Sequence, residues 1–105
     1  MNTMTDIKVV VNGALGRMGQ EVLNAVYKAE GLTAVAGSDV AATSKTVKIP
    51  NTSIELPIFN NINDALSNSD VVVDFSNASG AMKVITAASK AGVNCVIGST
   101  GLSDE

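Results

Sequence analysis

Short apolar runs alternate with amphipathic stretches along most of the chain. The apolar runs predict buried strands, because unbroken Val, Ile and Ala segments are typical of parallel strands that are covered on both faces. The predicted strands are Lys8–Val11, Leu32–Gly37, Pro57–Asn60, Val71–Phe75 and Asn94–Ile97. Between the second and third of these, Val47–Ile49 and Ser53–Leu56 alternate around Pro50-Asn51 and predict a small hairpin.

Helical spacing of apolar residues predicts three helices between the strands, over Gly16–Ala29, residues 61–68 and Gly80–Ala91. Gly31 and Gly92 are suitable stops for the first and the third. The residues predicted to face inward are Met18, Val22, Ala25, Val26 and Ala29 in the first helix, Ile62, Ala65 and Leu66 in the second, and Met82, Ile85 and Ala88 in the third.

Strands and helices that alternate in this order predict the α/β class. Right-handed crossovers then build a doubly wound parallel sheet, Rossmann-like, of about five strands. The 105 residues fit one domain, predicted here as a dinucleotide-binding domain over residues 1–105.

Composition excludes several classes of function. The net charge is −3, and no basic stripe is present, so nucleic-acid binding is not expected. No apolar run approaches the ~18 residues of a membrane span, and no signal-peptide pattern is visible, which predicts a cytoplasmic protein. With one cysteine, Cys95, and no histidine, neither a disulfide, a metal site nor histidine acid–base catalysis is expected.

Three glycines follow the first strand and open the first helix, in the sequence Gly13-Ala-Leu-Gly16-Arg-Met-Gly19. Such a turn exposes backbone N–H groups and the positive end of the helix, which suits a phosphate group. Asp39 lies 20 residues after Gly19 at the end of the second strand, where an acid binds the adenosine ribose hydroxyls. These features favour dinucleotide binding over a purely structural glycine turn.

The residues after the second strand bear on the choice of cofactor. An acid at Asp39 favours the free 2′-hydroxyl of NADH and repels a 2′-phosphate, and no basic residue follows it, since the next residue is Val40. Arg17, the single arginine, could still reach a 2′-phosphate, or it could only flank the pyrophosphate. The cofactor is therefore predicted to be NADH or NADPH, with NADH favoured or both used.

Other polar residues lie at predicted strand ends and leave alternatives open. Asp74 is either catalytic or, more in keeping with its position, a cap for the following loop. Ser76 contacts either cofactor or backbone, and the loop Gly98–Gly101 either faces the ligand crevice or is an ordinary turn. Cys95 is expected to be a packed, apolar thiol.

Three segments together resemble the dihydrodipicolinate reductase family: Val-Asn-Gly-Ala-Leu-Gly-Arg-Met-Gly at 11–19, Val-Val-Val-Asp-Phe-Ser at 71–76, and Val-Ile-Gly-Ser-Thr-Gly-Leu-Ser at 96–103. The resemblance covers nearly the whole chain, but only the amino-terminal, cofactor-binding part of that family. It implies hydride transfer from NADH or NADPH to a cyclic unsaturated dicarboxylate in lysine and diaminopimelate biosynthesis.

The resemblance implies a role for each matching position. The pyrophosphate would be cradled by the loop, the adenosine ribose held by the acid after the second strand, and the nicotinamide met by the two later loops. The implied cofactor-binding residues are Gly13, Gly16, Arg17, Met18, Gly19, Asp39, Phe75, Ser76, Gly98 and Thr100, with Thr100 and Gly101 at the substrate.

The family's second domain carries the histidine-containing substrate site, which this chain lacks. Leu102–Glu105 resembles the beginning of a helix, so the chain is expected to be a fragment that binds cofactor, contains no catalytic residue and is inactive alone. The exposed last strand predicts self-association, and the resemblance suggests a homotetramer for the parent enzyme. The alternatives are a non-catalytic nucleotide-sensing or assembly protein and another NAD(P)-dependent dehydrogenase.

Overall fold

Six strands form one sheet with three helices packed on it. The computed structural model describes residues 6–75 and 78–97, with backbone only at 78–80. In chain order the elements are β1 (Ile7–Asn12), α1 (Arg17–Lys28), β2 (Leu32–Ser38), β3 (Thr46–Lys48), β4 (Glu55–Phe59), α2 (Ile62–Ala65), β5 (Val71–Asp74), α3 (Ala78–Ala91) and β6 (Asn94–Ile97).

The strand order is β3-β4-β2-β1-β5-β6, and every neighbouring pair except β3–β4 is parallel. The chain moves from β1 outward through β2 to β4, and then returns to the other side of β1 to add β5 and β6. The direction of winding therefore reverses between β1 and β5. In an open α/β sheet, ligands bind outside the carboxyl ends of the strands at such a switch point.

The predicted doubly wound sheet is confirmed, with two differences of detail. The third predicted strand and the second arm of the predicted hairpin are one continuous strand, β4, which pairs with β2 at its end and with β3 along its start. The sheet consequently has six strands, of which five are parallel and β3 forms an antiparallel edge. The turn between β3 and β4 includes Asn51 at a φ of 66°, a left-handed conformation that asparagine tolerates.

Two apolar clusters cover the two faces of the sheet. One joins β1, β2 and β5 to α2 and α3 around Val10, Val72 and Val84. The other joins the opposite face to α1 and the β3–β4 hairpin around Val11, Leu23 and Val47. Alternate residues of β1 thus serve opposite clusters, as the pleat of a strand buried on both faces requires.

The inward faces of α1 and α3 agree only in part with those predicted: Val26 and Ala88 are buried and Val22 packs against the core, as predicted, whereas the other predicted residues are exposed. In α1 the buried residues are Gly19, Leu23 and Val26, whereas Met18 is half-exposed and Ala25 and Ala29 are exposed. The periodicity is helical as predicted, but the face is rotated. At Gly19 the missing side chain lets the α1 backbone approach Gly13 and Ala14 closely.

The same rotation occurs in α3. Ala81, Val84, Ala87 and Ala88 are buried, whereas Met82 and Ile85 are largely exposed. In α2 the prediction is correct, because Ala65 and Leu66 are buried and Ile62 packs against the same cluster. None of the helices that the structure describes has the length and hydrophobicity that a bilayer crossing requires.

Adjacent residues of α3 provide a test of this rotation. Val84 is 1% exposed and Ile85 is 42% exposed. We expect Val84→Ala to lower the free energy of unfolding by about 2 kcal/mol, because it removes two buried methyl groups and leaves a cavity. Ile85→Ala should cost less than about 0.5 kcal/mol. Chemical denaturation of both variants checks the ranking; since Val and Ile have similar helix propensities, the reverse order would contradict the assigned face.

Candidate functional site

The glycine loop joins β1 to α1 at the switch point of the sheet. Gly13 has a φ of 84°, the left-handed conformation that a glycine adopts without strain. Its N–H and that of Ala14 both donate to the Ser38 carbonyl at the end of β2, at 2.8 and 3.1 Å, and Gly16 N–H donates to the Gly13 carbonyl at 3.1 Å. The loop is therefore held by backbone hydrogen bonds to the neighbouring strand.

Close packing fixes the position of α1 over this loop. A Cβ at Gly19 would overlap the carbonyl group of Gly13 and come within 2.8 Å of the Ala14 Cα. On the other side of Ala14, a Cβ at Gly37 would lie 2.9 Å from the Ala14 Cβ. Gly19, Ala14 and Gly37 thus form a contact of small residues through which the helix, the loop and β2 touch.

The start of α1 is open to an anion. Gly16 is its N-cap and contributes no side chain, and the first turn contains no acidic residue. The first N–H groups of a helix have no acceptor within the helix, and they carry its positive dipole end. A Cβ at Gly16 would make only ordinary contact, at 3.5 Å from the Gly13 oxygen. The absence of a side chain there leaves the helix end accessible to a close backbone contact.

Asp39 lies beside the loop, directly after β2. Its Oδ2 accepts the N–H of Leu15 at 3.0 Å, and its Oδ1 accepts the N–H of Ala41 at 3.0 Å. These bonds orient the carboxylate toward the glycine loop. An ionised carboxylate can accept about four hydrogen bonds, so both oxygens keep capacity for the two hydroxyls of a ribose.

Three polar side chains form a row at the carboxyl ends of three neighbouring strands. Ser38 Oγ donates to Asn12 Oδ1 at 2.6 Å, and Asn12 Nδ2 donates to Asp74 Oδ1 at 2.7 Å. The sheet register places Asn12 opposite both Ser38 and Asp74. Ser38 and Asp74 are buried, so the row joins β2, β1 and β5 beneath the crevice.

This row changes the interpretation of Asp74 and adds a residue that sequence reasoning missed. The Asp74 side chain is fully buried and bonded to Asn12, so it links β5 to β1 at the floor of the site. Asn12 was not among the predicted site residues. A sequence signal was present, because Asn12, Ser38 and Asp74 are each a polar residue that ends an apolar strand.

Arg17 and Met18 occupy the first two positions of α1, and both are exposed. Met18 is therefore not a core residue, whatever it contacts in a complex. Arg17 lines a groove of about 400 Å³ between α1 and the turn that contains Pro50. Asn24 Nδ2 donates to the Pro50 carbonyl at 2.8 Å and closes the far part of that groove.

The remaining predicted residues follow β5 and β6. Phe75 comes directly after β5, is partly exposed, and donates its N–H to the Asn12 carbonyl at 3.2 Å, which places it at the switch point. Ser76, Gly98, Thr100 and Gly101 lie outside the described residues, so their predicted roles remain predictions.

Cys95 lies in β6 and packs against the cluster around Val84. Its thiol is partly buried. Burial, with a smaller contribution from the Asp74 carboxylate, raises the pKa of the Cys95 thiol above its ordinary value. The thiol is thus favoured over the reactive thiolate, which agrees with the packed thiol that was predicted.

Comparison with known proteins bears directly on this site. Residues 7–105 match the family described as "Dihydrodipicolinate reductase, N-terminus". Among the relatives, 4-hydroxy-tetrahydrodipicolinate reductase of Dehalococcoides mccartyi is 42% identical over 104 residues, which cover 97% of this chain and 40% of that protein. The chain therefore spans about two-fifths of the length of such relatives.

Solved structures show the same relationship. Dipicolinate-bound dihydrodipicolinate reductase from Paenisporosarcina sp. TG-14 superposes with a TM-score of 0.73 at 29% identity, over 91% of this chain and 38% of that one. A Rex-family repressor, RSP, reaches a TM-score of 0.70 over 97% of this chain and 56% of its own, but at 14% identity. The second likeness shows a shared fold alone.

The glycines of the loop provide a matched pair for mutation. Gly19→Ala should lower the free energy of unfolding by about 1–3 kcal/mol or more, because its Cβ overlaps backbone. Gly16→Ala should leave stability within about 1 kcal/mol, since the new Cβ has room and the lost cap preference is offset by a less flexible unfolded chain.

Gly16→Ala should nevertheless weaken dinucleotide binding at least about tenfold, because it places a methyl group at the helix end where we expect the pyrophosphate to approach. Thermal denaturation and titration calorimetry with NADH separate the two effects. A folded Gly16→Ala variant that binds NADH as the unaltered chain does would show that the loop is only a structural turn.

Proposed function

The chain belongs to the dihydrodipicolinate reductase family, and on this premise we propose that it binds NADH or NADPH for hydride transfer to a cyclic unsaturated dicarboxylate. The reaction belongs to lysine and diaminopimelate biosynthesis and requires the full-length enzyme. The bound cofactor supplies the hydride, and this chain supplies its binding and orientation.

One observation supports the proposal above all others: the open helix end and the Asp39 carboxylate meet at the same loop residue. Leu15 lies between Gly13 and Gly16, and its N–H is the group that Asp39 accepts. A ligand with a pyrophosphate at the helix end and a ribose diol at Asp39 would satisfy both features. A dinucleotide has these two groups next to one another.

The other site residues follow in order along such a cofactor. We assign Arg17, Met18 and Gly19 to the pyrophosphate, and Phe75 and Ser76 to the nicotinamide side. We propose that Gly98 and Thr100 meet the nicotinamide and that Thr100 and Gly101 reach the dicarboxylate substrate. Hydride transfer needs both reactants held in register, so the 105-residue chain alone should bind cofactor without catalysing turnover.

The alternatives receive less support. A nucleotide-sensing protein would be favoured by a close relationship to the Rex-family repressor, but that likeness extends to the fold alone. Another NAD(P)-dependent dehydrogenase would share the sheet and the glycine loop, whereas the sequence match over residues 7–105 is to the dihydrodipicolinate reductase family.

Charge at the ribose favours NADH. The Asp39 carboxylate would repel a 2′-phosphate, and the next residue, Val40, is uncharged and exposed. We therefore expect NADH to bind at least as tightly as NADPH. Replacement of the carboxylate in Asp39→Asn should weaken NADH binding about tenfold, since hydrogen bonds to a charged acceptor contribute about 1.5–3 kcal/mol, and should improve NADPH relative to NADH.

Titration calorimetry with both cofactors measures these affinities. Glu30→Gln is a control of equal charge change. Glu30 is exposed in the turn after α1 and precedes the start of β2, whereas Asp39 follows the end of the same strand. A tenfold preference of the unaltered chain for NADPH would contradict the assignment of Asp39.

We also propose that β6 mediates self-association. Within the described part of the chain, β6 pairs with β5 alone, and its Val96 is 52% exposed. Such an apolar edge can pair with a second copy. Light scattering should show mass that rises with concentration, and Val96→Lys should reduce it, whereas Ile54→Lys in the hairpin turn should not. A monomer at high concentration would refute this proposal.

A further inference from the structure

A groove of about 540 Å³ lies between α2 and α3 and opens beside the loop that follows β2. This volume is within the usual range of about 300–1,000 Å³ for small-molecule sites. Val40 forms one wall of the groove and Met82 of α3 lines the same space. The groove therefore begins one residue beyond Asp39.

The apolar walls of the groove are unusually exposed. Val40 is 88% exposed and Met82 is 64% exposed. A flat aromatic ring would bury both side chains, and a thioether makes favourable contacts with such rings. Because Val40 directly follows Asp39, a ribose held at Asp39 would place its base and its 2′ substituent at this mouth.

The charge of the groove is positive. Lys83 and Lys90 of α3 both line it, and none of the described residues that line it is an acid. The two lysines are not equivalent, because α3 starts at the carboxyl end of β5, on the edge of the sheet where Asp39 lies. Lys90 is two turns further along the helix, about 10 Å from Lys83 at 1.5 Å per residue.

We infer that this groove binds the adenosine end of the cofactor, with Lys83 as the cation that meets a 2′-phosphate. The inference rests on the proposed dinucleotide binding and extends it. Lys83 offsets the repulsion from Asp39 and takes the place of a basic residue at position 40. The chain is then expected to accept NADPH as well as NADH, although Asp39 and Val40 by themselves disfavour it.

Two substitutions in α3 distinguish the contribution of the adenine to binding from that of the 2′-phosphate. Lys83→Ala should weaken NADPH binding about tenfold, as expected for the loss of a charge-assisted contact, and should change NADH binding less than about twofold. Met82→Ala should weaken the binding of NADH and of NADPH by similar factors, because both cofactors contain the same adenine base. Lys28→Ala, the same change at an exposed lysine in the last turn of α1 and outside the groove, should alter neither affinity.

The measurement is titration calorimetry with NADH, NADPH and 2′-AMP at low and high salt, with thermal denaturation to confirm that each variant is folded. The contribution of Lys83 to NADPH binding should also diminish as salt rises, so NADPH binding by the unaltered chain should weaken more with salt than in Lys83→Ala. Failure of the unaltered chain to bind either cofactor would refute the proposed function. NADH binding with no detectable NADPH binding, or equal losses of both cofactors in Lys83→Ala, would refute the role of Lys83 alone.

Discussion

The contact among Gly19, Ala14 and Gly37 is the constraint on which the site depends. It sets the distance of α1 from β2 with the loop between them, because there is no room for a Cβ at Gly19 or Gly37 and Ala14 contributes only a methyl group. Asp39 follows Gly37 by two residues, and Leu15 follows Ala14 directly. The contact therefore brings the Asp39 carboxylate within 3.0 Å of the Leu15 N–H. Larger residues here would separate the helix end from the acid.

Beneath this contact, a polar row keeps the strand ends in register. Each buried polar group in it would cost free energy without a partner, and the bonds from Ser38 to Asn12 and from Asn12 to Asp74 offset that cost across three strands. The row lies at the switch point, at the carboxyl ends of β2, β1 and β5. A polar floor can remain there when solvent or a ligand occupies the crevice above it.

The strands were predictable from sequence because a short unbroken apolar run fits few structures other than a buried strand. The predicted strand Asn94–Ile97, for example, has the same bounds as β6. The helix faces were not. Periodicity identifies a stripe of apolar residues, but the face nearest a sheet is chosen by how closely the backbones approach. Large residues such as Met18 and Met82 were assigned to the core, whereas Gly19 and Ala81 occupy it. The partnership of Asn12 with Ser38 and Asp74 was also inaccessible, since it depends on the strand register.

Some of the residues wrongly assigned to the core share a location that bears on function. Two of the large apolar side chains displaced from the core, Met18 and Met82, lie near the starts of α1 and α3, and both helices begin at the carboxyl edge of the sheet. Val40 is exposed at the same edge. Exposed apolar residues that lie near one another are typical of a binding surface. Under the binding mode proposed for the groove, cofactor selection would depend on two elements. One is the loop after β2, with Asp39 and Val40, and the other is α3, whose Lys83 lines the same groove as Val40.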